Sequence, residues 1–109
     1  MNLLWYFLAG AFYADAIPHL IKGITGQTHM TPFKKVSSPV VNVIWAFVNL
    51  AVALYLLGLG SGKGGVVLPW NANIGGASAI AFALGVFVMA LWLASFWSNP
   101  NARLPWHKD

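Results

Sequence analysis

The sequence predicts an all-α integral membrane protein, one domain over residues 1–109 built from three transmembrane helices. The first observation is a balance: 59% of the 109 residues are hydrophobic and 7% are charged, with mean hydropathy +0.69. A soluble domain carries roughly a quarter charged residues, so this chain could not cover its own surface in water. The second is that the apolar residues gather into three runs of membrane-spanning length, about 3–21, 40–59 and 74–97. The third is where the basic residues fall. Lys22, Lys34 and Lys35 lie in the first connection, Arg103 and Lys108 in the tail, and Lys63 alone in the second connection. Three spans put the first connection and the tail on one side, so five of the six basic residues stand together. The excess of basic residues places that side in the cytoplasm and the N-terminus outside.

The first run carries the residues around which the chain is organised, Asp15-Ala16-Ile17-Pro18-His19. Asp15, His19 and Lys22 share one helical face, and Pro18 leaves the Ala14 carbonyl without its helical donor. Ala14-Asp15-Ala16 has the form of a signal-peptidase site, but no basic residue precedes the run, so an uncleaved helix is expected. Gly10, Ala14 and Pro18 recur at four-residue spacing, a stripe that lets a neighbouring helix approach. The connection 22–39 holds two glycines, two prolines and several Ser and Thr, which argue against a continuous helix. Ser37 or Ser38 is expected to cap the second helix, with Pro39 in its first turn. That helix is free of charge and ends in the glycine-rich stretch 58–65, read as a linker outside the membrane. In the third run Ala77, Ala81 and Gly85 form a second small-residue stripe. Trp5, Tyr6 and Trp70 are expected at the outer interface and Trp97 at the inner one, with Lys34 and Lys35 at the headgroups.

An ionisable residue at membrane depth marks a candidate site. Counted back from Lys22, Asp15 lies ~10 Å inside the boundary at ~1.5 Å per residue. Counted from Pro39, Asn42 lies ~5 Å and Asn49 ~15 Å deep, so they bracket Asp15 on the next helix. If the two helices pack through these faces, Asp15, His19, Asn42 and Asn49 form one polar cluster, able to bind a small polar or ionic species or to carry protons. The plainer alternative is that the asparagines hold helices together and Asp15 pairs locally.

Other chemistries are poorly served. The chain has no cysteine, which excludes disulfides, thiolate metal sites and thiol nucleophiles. His19, His29 and His107 are far apart in sequence, and the carboxylates are Asp15 and a terminal Asp109 expected in solvent, so neither a metal centre nor acid–base catalysis is expected. The stretch around Lys63 departs from a phosphate-binding loop, with Leu57 at the first glycine position and Gly64 in place of Ser or Thr. No basic helix face supports nucleic-acid binding. No cofactor is expected, and the protein is not expected to be an enzyme.

Two blocks, Ile17-Pro18-His19-Leu20-Ile21-Lys22-Gly23-Ile24-Thr25-Gly26 and Ser37-Ser38-Pro39-Val40-Val41-Asn42-Val43-Ile44-Trp45, resemble a group of small bacterial inner-membrane proteins with an I-P-H-x-x-K-G segment before an S-S-P-x-x-N-V-x-W segment. The likeness covers about the first half of the chain. It implies a bacterial plasma membrane and brings no activity with it. The three-span layout is also similar to that of the half-transporters that dimerise to move sugars, but Gln27 is the only glutamine and no proline precedes it, so their proline–glutamine signature is absent.

The expected function is that of a non-enzymatic membrane subunit or homo-oligomeric scaffold, with the lipid bilayer and either further copies or a larger complex as partners. The alternative is a minimal homo-oligomeric transporter or channel for a small polar or ionic solute, using the cluster around Asp15.

Overall fold

The computed structural model describes residues 2–107; Lys108 and Asp109, and with them the expectation of a solvated terminal carboxylate, lie outside the described residues. Helix α1 (Leu3–Ile24) begins where the Asn2 side chain accepts the Leu4 amide at 3.0 Å. It runs through Pro18 and three residues past the expected end, stopping where the Thr25 hydroxyl donates to the Ile21 carbonyl at 2.6 Å.

The connection that follows corrects the all-α expectation. Strands β1 (His29–Thr31) and β2 (Lys34–Ser37) pair antiparallel, His29 opposite Ser37 and Thr31 opposite Lys34. Pro32 and Phe33 make the turn, held by the Thr31 hydroxyl accepting the Phe33 amide at 3.2 Å. Thr31 and Ser37, both buried, bond through their hydroxyls at 2.7 Å across the pair. Strands of three and four residues are too short for alternation to announce them in the sequence.

Helix α2 (Pro39–Gly60) is capped by Ser38, whose hydroxyl accepts the Val41 amide at 3.2 Å, with Pro39 in the first turn. Its buried residues Asn42, Ala46, Asn49, Ala53 and Gly60 keep a near-heptad spacing, and the matching seam of α1 is Tyr6, Ala9, Ala16, His19 and Gly23. Small residues at both ends of this seam let the helices close. A Cβ on Gly60 would stand 2.8 Å from the Tyr6 ring, and one on Gly23 2.8 Å from the Pro39 carbonyl. The glycine stretch after α2 turns back on the helix, the Lys63 and Gly64 amides both bonding the Gly58 carbonyl at 3.0 and 3.2 Å. The stretch expected to be a flexible linker outside the membrane thus begins as the last turn of α2 and closes it as a helix stop.

Helix α3 (Ala77–Trp97) follows a short 3-10 turn over Pro69–Asn71 and starts later than expected, because Gly76 adopts φ +54° just before it. It packs on α1, and α2 and α3 hardly meet, so α1 is the middle helix. At the crossing a Cβ on Gly10 would run into the Phe82 carbonyl, and one on Gly85 into that of Phe7. The two backbones touch there directly. Ala14 and Ala81 are buried beside them, but Ala77 is exposed. A four-residue stripe drifts about 40° per step around a helix of 3.6 residues per turn. The buried face therefore starts at Ser78, not Ala77.

Tyr6, expected at the membrane interface, is instead 0% exposed at the centre of a cluster with Ala9, Leu56, Leu57 and Ala81. Its hydroxyl donates to the Asn73 carbonyl at 2.6 Å and lies 3.3 Å from the Ser61 hydroxyl, tying the starts of α1 and α3 to the end of α2. Tyr6→Phe keeps the ring and loses the donor. It should lower unfolding stability in detergent by about 1–1.5 kcal/mol.

Helices α2 and α3 are each long and apolar enough to cross a membrane. Helix α1 does not reach the same hydropathy, since Asp15, Pro18, His19 and Lys22 fall within it, so length and composition single out two spans rather than the three expected. Only 17% of the apolar window of α3 is buried, and its outer side presents Ile80, Leu84, Phe87 and Leu91.

Candidate polar site and aromatic cleft

The site is built on Asn42, in the first turn of α2 and 0% exposed. Its side-chain amide donates to the backbone carbonyls of His29 at 3.1 Å, Ser37 at 3.2 Å and Ser38 at 3.0 Å. One side chain thus fastens the hairpin to the start of α2. Because all three neighbours of the nitrogen are acceptors, the amide has only one workable orientation. Its oxygen then faces His19 Nδ1 at 2.8 Å. An amide oxygen only accepts, so Nδ1 carries the hydrogen.

The other ring nitrogen of His19 is left to face Asp15, Nε2 to Oδ1, at 3.7 Å. With Nδ1–H fixed, a bare Nε2 and a carboxylate would be two acceptors facing each other. One proton between them removes the conflict, whichever of the two holds it. Asp15, His19 and Asn42 therefore stand in a row, hydrogen-bonded from Asn42 to His19 and at ion-pair distance from His19 to Asp15. Asn49 is buried too, but its amide donates to Trp45 O of its own helix at 2.9 Å, and no hydrogen bond among the described residues joins it to Asp15 or His19. Two further turns along α2, it sits too deep to reach the row.

Several residues join this end that the sequence did not single out. The His29 ring lies 5.2 Å from that of His19, so two of the three histidines, far apart in the chain, are neighbours. The His29 ring meets Trp97 edge-on at 4.2 Å, and Trp97 also meets His19 at 5.7 Å. Trp97 is thus packed inward on the histidines rather than standing as an interface anchor. Trp70, in contrast, is exposed at the opposite end, Trp5 is half-buried, and Lys34 and Lys35 stand on β2, the first exposed and the second half-buried. The tail closes over the hairpin. Trp106 Nε1 donates to the Pro32 carbonyl, and buried His107 accepts the Leu104 amide at Nδ1 (3.2 Å), which leaves Nε2–H to donate to the Thr31 carbonyl at 2.8 Å. Among the described residues no group of three or more His, Cys, Asp or Glu stands close enough to hold a metal.

Burial lowers the pKa of His29 from 6.5 to about 4, with His19 and Lys22 adding to the effect and Asp15 opposing it. His29 is therefore neutral at pH 7. The unfolded chain takes up this proton first as the pH falls, so the folded state should lose stability between pH about 6.5 and about 4. Above that range His29 contributes no pH dependence. His29→Phe should flatten this part of a stability–pH profile measured by thermal unfolding in detergent. The fold also tolerates a local cost here, because His29 Nε2 and Trp97 Nε1 are buried without hydrogen-bond partners.

Between α1, the hairpin, the first half of α2, the end of α3 and the tail lies a cleft of about 290 Å³. Asp15 and His19 form its polar wall, and Trp45, Trp92, Trp97 and Trp106 are the main aromatic ones. Trp92 stacks on Phe96 at 5.2 Å, which stiffens that side. Four indoles around one carboxylate make an environment suited to a cation with an apolar body. No family model, curated protein or solved structure matches the chain.

Proposed function

We propose that this is a small, non-enzymatic integral membrane protein that crosses a bacterial plasma membrane three times, with the hairpin and tail in the cytoplasm, and acts as a subunit of an oligomer or larger complex. The observation that carries this reading is the division of its surface. The outer sides of α2 and α3 are almost wholly apolar, including Ile44, Phe47, Val48, Ile80, Leu84 and Phe87. Apolar faces of that extent are stable only against lipid or other helices. The buried polar side chains meanwhile serve mainly as fasteners: Asn42 holds the hairpin, His107 the tail and Tyr6 the opposite loop. Helix α1, lying between the two apolar helices, crosses with them, its ionisable groups turned to the hairpin end. Lys34, Lys35 and Arg103 gather at that end, which suits a cytoplasmic location.

The test is the mass of the particle extracted in native lipid, with every chain identified. A fixed small multiple of this chain, or this chain with a second protein at constant ratio, is expected. A monomer carrying lipid alone would overturn the subunit reading. A second reading, solute binding or transport, is favoured by one observation, the aromatic cleft beside Asp15.

A further inference from the structure

We infer that the cleft is a binding site for a primary ammonium on an apolar or aromatic body, and that the ammonium and a proton compete for the gap between Asp15 and His19. The geometry is set at Asn42. Its three carbonyl partners fix the amide, the amide fixes Nδ1–H on His19, and Nε2 is left facing Asp15 Oδ1 across 3.7 Å. Without a shared proton these are two converging acceptors, a carboxylate oxygen and an imidazole lone pair. An ammonium nitrogen ~2.8 Å from each can bridge that gap with two of its hydrogens. With a proton in the gap either the imidazole nitrogen no longer accepts or the carboxylate is no longer charged, and the ammonium loses one of its two partners. The positive charge is held either way, and only its carrier changes.

The rest of the cleft selects the carrier. Asp15 is exposed over 20% of its side chain and lines the cleft together with the tryptophans, whose apolar area suits the body of such a cation. Asp15 is the only acidic side chain outside the terminal Asp109. The other titratable groups nearby leave room for a cation. Lys22, on the same helix, turns its ammonium to Gln27 Oε1 at 3.1 Å. His29, on β1, is neutral at pH 7, and His107, in the tail, is held between Leu104 and Thr31. Helices α2 and α3 bring no charged residue or histidine. A neutral amphiphile of the same shape would fill the cleft without satisfying the acceptors, and an anion would meet the carboxylate.

This inference refines the binding reading and can be tested whether or not the three-span arrangement holds, because it needs only the folded chain in detergent or nanodiscs. Benzylammonium is titrated against benzyl alcohol by calorimetry, in two buffers of different ionisation enthalpy, on the wild-type chain and on Asp15→Asn. The substitution is nearly isosteric, and Asp15 has no other partner among its described contacts, so the fold should persist; an unchanged thermal transition checks this. Expected are binding of benzylammonium at least tenfold tighter than of benzyl alcohol, loss of that preference in Asp15→Asn, and release of up to one proton per amine bound. Affinity should rise as pH is raised through the range in which protons are released. Equal binding of amine and alcohol, or an unchanged preference in Asp15→Asn, would overturn the ammonium site. Binding with no proton released at any pH at which the fold is intact would overturn the competition. Repeating the titration in nanodiscs of phosphatidylcholine with and without phosphatidylethanolamine separates sources: weaker amine binding with phosphatidylethanolamine identifies a lipid headgroup as the occupant, and unchanged binding a soluble amine.

Discussion

Asn42→Asp should destabilise the protein by more than about 3 kcal/mol and loosen the hairpin first. The change keeps the size of the side chain but replaces a donor by an acceptor. The new carboxylate oxygen would face the carbonyls of His29, Ser37 and Ser38, three acceptors at about the positions the amide now bonds. Asn42→Ala takes the side-chain donor from the same carbonyls, of which Ser38 keeps the backbone amide of residue 42, adds no repulsion, and should cost about 2–3 kcal/mol. The order of the two variants is therefore diagnostic. Hydrogen exchange should show faster exchange at the hairpin amides, with the crossing of α1 and α3 little affected. If Asn42→Asp were as stable as the wild type, the amide would not be oriented as the bonds require, and the hydrogen on His19 Nδ1 would no longer follow.

The second large effect is expected at the opposite kind of contact, one with no polar side chain in it. Gly85→Leu places a branched side chain where the Phe7 carbonyl now stands, and Gly10→Leu does the same at Phe82. Backbone cannot move aside as a side-chain end can, so α3 must lift off α1. Each substitution should cost about 3 kcal/mol or more, beyond the usual range for an overpacked core, and even alanine should cost about 1–3 kcal/mol. Ala77→Leu, on the exposed first turn of the same stripe, should change stability by less than about 0.5 kcal/mol. Unfolding curves in mild detergent read all three. Tolerance of leucine at Gly85 would mean that the two helices do not touch at this point.

These residues show how much could be read in advance. The helices were legible because apolar runs of about twenty residues have few alternatives. Gly10 and Gly85 were legible because small residues at near-helical spacing mark close approach, whereas Ala77 belonged to the arithmetic of the stripe and not to the face. Depth counted along two adjacent helices placed Asp15 between Asn42 and Asn49, but that count has no way to tell that Asn42 alone meets His19 while Asn49, two turns deeper on the same seam, bonds its own helix. The hairpin escaped notice because its strands are held by Asn42 and by hydroxyl bonds more than by any pattern of their own. His107 and Trp106 escaped for another reason. They bond Thr31 and Pro32, 76 and 74 residues away, and no periodicity records such a contact. The cleft was hidden likewise, as its tryptophans come from α2, α3 and the tail. Tyr6 was misread because an aromatic near the end of an apolar run suits an interface as well as a core.

The placement of the hairpin and tail on one side of a membrane, with α1 crossing between α2 and α3, is the central claim, and the absence of cysteine makes it directly testable. Single cysteines at Lys34, Lys63 and Arg103 would be labelled in sealed inverted and right-side-out vesicles with a reagent that does not cross the bilayer. Positions 34 and 103 should react from the cytoplasmic face and position 63 from the other. Labelling of all three from one face, or of 34 and 103 from opposite faces, would contradict that placement.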